Sequence, residues 1–261
     1  VFRISSAPSL RVLFVLKTAH FDCIVFCIAS LNSAVLFSPF AFLQLSNLYP
    51  DSNSVKLKKT LAKTFNIKSK NIMCGNGSDD VLSVIAQTFS TEGSEVICSE
   101  YGFTYYPIIA KASGCKVITA NSEKLGVSCK NILKKITKKT KVIMPVHLYG
   151  SVVDIKKIRK VINKKKIHVI DDCSQAHGAY LDNKRVGSLA DISCFSLYPG
   201  KNLGAYGDAG IITTNNLNYY NKIKNFRNLG STKKFVHTQV GFNSRLDTIQ
   251  ASILIEKLKL R

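Results

Sequence analysis

Residues 169–210 read VIDDCSQAHGAYLDNKRVGSLADISCFSLYPGKNLGAYGDAG, and two short apolar runs in and beside this stretch set the architecture. Residues 168–170 (His-Val-Ile) and 192–195 (Ile-Ser-Cys-Phe) are predominantly apolar and bounded by turn-forming residues, the pattern of buried strands. The first run ends on two carboxylates, Asp171 and Asp172. The second leads into Ser196-Leu197-Tyr198-Pro199-Gly200-Lys201-Asn202, a turn that carries one lysine.

Upstream the same rhythm repeats. Strand-like runs at 95–98, 115–119 and 142–146 alternate with helical patterns at 79–89, 106–112, 131–136 and 155–162. The segment 54–65 places Val55, Leu57, Leu61, Ala62 and Phe65 among lysines at helical spacing, and 71–74 leads as a short apolar run into GNGSDD. This alternation predicts an α/β domain, a mostly parallel sheet with helices on both faces. Ligands of such sheets bind at the carboxyl ends of the strands.

The 261 residues are 46% hydrophobic, enough for a full core, and a single domain over 48–261 is expected. Residues 1–47 differ in texture. From Cys23 to Asn47 no formal charge occurs, but Asn32, Ser33, Ser38, Pro39 and Gln44 interrupt the run. It is read neither as a membrane span nor as a signal peptide, because no short apolar core ends in a small-residue cleavage site. An uncertain, degraded or mistranslated start is the expectation.

The net charge is +21, a value that often marks a polyanion partner. Here the lysines are dispersed, in groups such as Lys56, Lys58, Lys59 and Lys164, Lys165, Lys166, without interleaved aromatics or a zinc-finger spacing. They are read as solvated faces, and neither a nucleic-acid nor a membrane partner is expected. Eight cysteines lack a CxxC pair or metal-ligand spacing, so no metal site and a reducing cytoplasm are expected.

Four segments carry chemistry. In Gly75-Asn76-Gly77-Ser78-Asp79 the glycines permit a tight turn, and a helix start offers free amides to a phosphate at Gly77 and Ser78. An ordinary capped turn is the plainer reading of this segment alone. Tyr101-Gly102-Phe103-Thr104-Tyr105-Tyr106 places four aromatics at a strand-to-helix junction. Most must be core, while Phe103, then Tyr106, is the candidate to stack on a flat ring. In the third segment Asp172 ends a strand and Gln175 follows three residues later; Asp171 is read as a helix cap and His177 as a packing residue. In the fourth, Ser196 precedes Lys201 by five positions and is placed to bind phosphate. A lysine amine that meets an aldehyde, with a carboxylate that keeps a pyridine nitrogen protonated, is what pyridoxal phosphate requires.

PVHLYG, VIDDCSQAHGA, VGSLADISCFSLYPGKNLGAYGDAG and GFNSRLDTIQASIL, within residues 142–254, resemble the DegT-type sugar aminotransferases, fold-type-I pyridoxal phosphate enzymes. The resemblance implies that Lys201 carries the cofactor, Asp172 pairs with its ring nitrogen, Gln175 contacts its ring oxygen and Ser196 binds its phosphate. It also implies a homodimer with shared active sites, in which Asn243 reaches the partner's phosphate. The earlier segments LSNLYPDSNSVKLKKTLAKTFNI, NIMCGNGSDDVL and SEYGFTYYPIIAKASG are more similar to histidinol-phosphate aminotransferases, a sister group on the same fold. There Tyr49 matches a tyrosine donated across the dimer, and Gly77 with Ser78 forms the phosphate loop. The asparagine-proline motif of that group is replaced by PVHLYG.

The expected activity is transfer of an amino group from an amino-acid donor to a nucleotide-linked keto-sugar. A histidinol-phosphate-type amino-acid aminotransferase is the alternative. An inactive fragment or a basic polyanion-binding protein is the reading from another class. Both families carry a C-terminal small domain, which is expected to be missing after Arg261.

Overall fold

A computed structural model describes residues 51–260, apart from 92, 125–126 and 163–166. The central sheet has five strands: β1 (Ile72–Gly75), β4 (Val142–Ile143), β5 (His168–Asp172), β8 (Ile192–Ser196) and β9 (Gly210–Thr213). Their spatial order is β1-β9-β8-β5-β4. Four run in the same direction, and β9 is antiparallel to both of its neighbours. The mostly parallel sheet is therefore present, with one reversed strand that the apolar run at 210–213 does not reveal. A second parallel pair, β2 (Glu95–Ser99) with β3 (Lys116–Ala120), stands beside it. An apolar cleft lined by Leu82, Phe89, Ile97, Ile109, Ile143 and Met144 lies where β2 approaches β4.

Side chains alternate across the sheet with the strand period of two. Met73, Cys194 and Ile212 face α2 (Ser78–Phe89), α3 (Tyr105–Ala112) and α6 (Leu217–Phe226). Ile72, Cys74 and Ile211 face α1 (Val55–Phe65) and α7 (Thr248–Leu258). A third cluster joins Ile97, Ile143 and Val169 to α4 (Cys129–Lys135) and α5 (Ile155–Ile162) through Ile132, Ile155 and Ile158. Every residue of β1 and β9 is buried, as expected for strands covered on both faces.

Local chemistry sets the boundaries. Asn216 accepts from the amides of Asn218 and Tyr219 and starts α6, and Ser128 caps α4 through the amide of Asn131. Asp51 holds the entry to α1 by accepting from the amides of Asn53 and Val55. The hairpin β6 (Tyr180–Leu181) to β7 (Lys184–Arg185) turns on Asp182 and Asn183, both left-handed, the backbone that a two-residue hairpin loop requires. A second small hairpin joins β10 (Ser231–Lys233) to β11 (Val236–His237).

Two expectations are corrected. The strand predicted at 142–146 stops at Ile143, because Pro145 has no amide to donate; pairing resumes only as a bridge between Val146 and Asp172. No helix follows Asp172, since residues 173–179 are turns, so Asp171 caps nothing. Among the described residues no helix is long and apolar enough to cross a membrane. The described cysteines, Cys74, Cys98, Cys115, Cys129, Cys173 and Cys194, are all free thiols.

Candidate active site

Because β1, β5 and β8 run the same way, their carboxyl ends bring Gly77, Asp172 and Ser196 to one edge of the sheet. Asp172 is opposite Cys194 in the β5–β8 ladder. Lys201 lies on the loop that leaves β8 and returns as β9. That loop is closed at its base by Leu197 N–H to Ala209 O (2.8 Å) and by Ala205 N–H to Leu197 O (2.7 Å). The Lys201 amide donates to Tyr198 O at 2.9 Å, which makes the turn that presents its half-buried side chain.

Asp172 is buried, and each of its carboxylate oxygens has a donor. The Tyr106 hydroxyl donates to Oδ2 at 2.7 Å, and the Ser174 amide donates to Oδ1 at 2.9 Å. The backbone of Asp172 is fixed as well, its amide donating to Pro145 O and its carbonyl accepting from the His147 amide. Burial, then the charge of Asp172, pushes the Tyr106 phenol well up, so the proton stays on the tyrosine. Tyr106 is therefore not a stacking ring: it is 2% exposed and inside the core. Phe103, 43% exposed, packs edge-on against it with centroids 5.2 Å apart, and Tyr105 bonds Ser83 at 2.7 Å.

The loop after β1 has the form of an anion cradle. Gly77, with a φ of 113°, is the N-cap of α2, and no side chain caps that helix start. A Cβ at Gly210 would overlap the Gly77 carbonyl, so the backbones of two distant segments touch here and only glycine fits. Ser78 is the first residue of α2, and its hydroxyl contacts Asp79 at 3.3 Å. Partial burial pushes the Asp79 carboxyl up, Ser78 opposes this, and Asp172 and Asp208 add to it while Lys201 pulls it down. Asp208 also borders this loop, its Cβ 3.5 Å from where a Gly77 Cβ would stand.

Gln175 is half-buried and its Oε1 accepts from the Tyr149 amide at 3.1 Å. A backbone N–H can meet only the oxygen of that amide, so the NH2 end is left as a donor. Ser196 is 2% exposed, with its Oγ 3.4 Å from the Tyr198 amide. Asn243 is exposed, on the segment bridged to Asn228. Tyr49 lies outside the described residues. His177 packs its ring on Phe195, 5.5 Å between centroids.

Asp171, wholly buried, pairs with wholly buried His147, Nε2 to Oδ2 at 3.0 Å. His147 Nδ1 accepts the Val153 amide at 3.0 Å, so the neutral ring keeps its proton on Nε2. With Cys173 the pair forms a buried His, Asp and Cys cluster. Neither ring nitrogen has a free lone pair for a metal in this hydrogen-bonding arrangement, and the thiol is pushed well up by burial. The pair instead ties the 147–153 loop to β5.

Sequence reasoning missed four contributors: the Tyr106 hydroxyl, the Tyr149 amide, Asp208 and helix α7. The Gln250 side chain of α7 accepts from the Tyr206 amide at 2.9 Å, and Lys257 donates to Gly204 O at 2.6 Å. A signal existed for Tyr106 alone, since a buried tyrosine must satisfy its hydroxyl.

A lysine on the loop between β8 and β9, a carboxylate at the end of β5 and an uncapped helix start lie at the carboxyl ends of the parallel strands of an α/β fold. Residues 45–260 match the DegT/DnrJ/EryC1/StrS aminotransferase family. The chain belongs to that family. It is 36% identical over 183 residues to the UDP-N-acetyl-3-dehydro-alpha-D-glucosamine 3-aminotransferase of Acidithiobacillus ferrooxidans, covering 69% of this chain and 50% of that protein. It is also 36% identical over 176 residues to histidinol-phosphate aminotransferase 1 of Mannheimia succiniciproducens, covering 64% of this chain and 48% of the relative. The fold superposes on S. venezuelae DesV, solved in complex with a ketimine intermediate, with a TM-score of 0.73 and 27% identity over 85% of this chain and 61% of DesV. The chain spans about half the length of the curated relatives it matches.

Proposed function

We propose that residues 48–261 are the cofactor-binding large domain of a pyridoxal-phosphate-dependent sugar aminotransferase that works as a cytoplasmic homodimer. It transfers an amino group from an amino-acid donor to a nucleotide-linked keto-sugar. The observation that carries this is the convergence of Lys201, Asp172 and the open start of α2 on one edge of the sheet. The residues fit the cofactor: the Gly77–Ser78 amides and Ser196 suit a phosphate, Asp172 suits a cationic ring nitrogen, and Lys201 suits an aldehyde.

Pyridoxal phosphate, when bound, supplies an electron-withdrawing ring across which an amino group can be moved between carbon skeletons. Lys201 would hold the group through Nζ and, as a free amine, would serve as the acid and base that moves a proton between the carbons exchanging the nitrogen. Asp172, held by two donors, keeps the ring nitrogen protonated. Gln175 offers its NH2 to the ring oxygen because Tyr149 already occupies its Oε1. Phe103, exposed at the start of α3, is the stacking ring. Asn243, exposed, reaches toward a partner subunit's phosphate, and Tyr49 has the corresponding role from the start of the chain. The assignment of the acceptor as a sugar rests on the first relative's name. A second reading, favoured by the match to the histidinol-phosphate enzyme, keeps every role and changes the acceptor to an amino-acid precursor.

The test is borohydride reduction of the purified protein with pyridoxal phosphate, followed by peptide mapping. The expected label falls on the peptide containing Lys201 and disappears in Lys201→Ala. A label spread over surface lysines and unchanged in that variant would sink the proposal, and salt-sensitive nucleic-acid binding without cofactor uptake would favour the polyanion reading. Half-reactions of the aminated cofactor with keto-sugar and keto-acid acceptors separate the two substrates.

A further inference from the structure

The structure assigns to Tyr106 a role that the family motifs do not carry. We propose that Tyr106 is a positioning residue for the cofactor's ring nitrogen, its hydroxyl holding the Asp172 carboxylate in the one orientation that leaves a lone pair facing the site. The proposal rests on the cofactor reading above.

Three observations support it. The Tyr106 hydroxyl is 2.7 Å from Asp172 Oδ2, across 66 residues of sequence and wholly within the core. A hydroxyl donating to a carboxylate at that distance is a strong, charge-assisted bond. The backbone of Asp172 is pinned on both sides, by Pro145 O and by the His147 amide. Its remaining freedom is rotation of the side chain, which Tyr106 and the Ser174 amide remove from opposite oxygens. Each carboxylate oxygen has room for a second donor, so a third N–H can be accepted without displacing either. Finally, Phe103 and Tyr106 sit three residues apart and touch edge to face. The exposed ring and the ring that fixes the carboxylate are thus set by the same start of α3, which ties the stacking plane to the carboxylate direction.

A tyrosine that merely filled the core would give a different result from one that serves the ring nitrogen. The test compares Tyr106→Phe with the unaltered protein, measuring dissociation constants for pyridoxal phosphate and for its carbocyclic analogue, in which C–H replaces the ring nitrogen. The expected result is roughly a tenfold or greater weakening for pyridoxal phosphate, the scale of one lost bond to a charged group, and no change for the analogue. The 15N signal of ring-labelled pyridoxal phosphate is expected to move toward the unprotonated form in the variant. Equal weakening of both ligands, or of neither, overturns the proposal. If the Phe variant does not fold, 3-fluorotyrosine placed at position 106 alters the acidity of the hydroxyl with little change in packing. A moved ring-nitrogen signal then supports the role, and an unmoved one overturns it. Failure of the unaltered protein to bind pyridoxal phosphate at all overturns the cofactor reading itself, an outcome distinct from the other two.

Discussion

Gly210 shows how little tolerance the site has at single positions. Its added Cβ would meet backbone, the carbonyl and carbon of Gly77, and not the tip of a movable side chain. Overpacking of this kind costs about 1–3 kcal/mol, and with backbone on both sides Gly210→Ala is expected toward the upper end. Urea unfolding should show that loss, and titration with pyridoxal phosphate should show weaker binding because Gly77 is displaced. A variant as stable and as tightly binding as the parent would mean that the cradle yields. Asp172→Asn should keep the fold, since its Oδ1 can still accept the Ser174 amide while its NH2 donates to the Tyr106 hydroxyl oxygen, but lower cofactor affinity roughly tenfold or more. At the residue scale, the placement of Asp172 at a strand end and of Lys201 on the loop after a strand was legible in the sequence. The strand-end carboxylate and the glycine-flanked lysine stood out because residue type and element boundary coincide there. Asp171 was misread because the turn after β5 was taken for a helix, and its real partner, His147, is 24 residues away.

Among the elements, α7 acts directly on the lysine loop. Gln250 takes the Tyr206 amide, Lys257 takes the Gly204 carbonyl and lies over the Tyr206 ring at 4.7 Å, and Gly207 passes so close that a Cβ would be 2.8 Å from Gln250 Nε2. Burial pushes the Lys257 amine down, the mark of a cation drawn partly out of water to make that bond. The double variant Gln250→Ala, Lys257→Met is expected to raise the hydrogen-exchange rate of the Tyr206 amide by about tenfold or more, while lowering global stability by only about 1–3 kcal/mol. Unchanged exchange at Tyr206 would show that the loop is held by its own bonds. These contacts were invisible in sequence, because helical periodicity gives the buried face of α7 but not which loop its polar residues meet. The reversed direction of β9 was hidden for a related reason: four apolar residues fit either orientation.

For the molecule as a whole, the charge of +21 and the buried thiols make opposite demands on solvent. Self-repulsion among dispersed cations is screened by salt, so the melting temperature at neutral pH should rise between low and physiological ionic strength; a flat or falling curve would show that the lysines are locally compensated. Burial pushes the Cys98 thiol up to about 12 and the Cys74 thiol up to about 11, against an ordinary value of 9.0. Below pH 9 the thiols are protonated in both states and contribute no slope. Above it the unfolded thiols ionise first while the folded ones stay protonated, so stability is expected to fall as pH rises from about 9 toward 11–12. Replacing both residues by Ala should make that limb shallower without abolishing it, because burial also pushes the Cys173 and Cys194 thiols well up; an unchanged slope would assign it to other groups. The ladder between β1 and β9 has a further consequence, for biogenesis. Ile72 pairs with Thr213 and Gly75 with Gly210, so a strand buried on both faces and the Gly77 loop behind it are synthesised long before their partner exists. Until residues 210–213 leave the ribosome, β1 presents four apolar or glycine residues and an unpaired edge, the kind of segment that a nascent chain must shield from its neighbours.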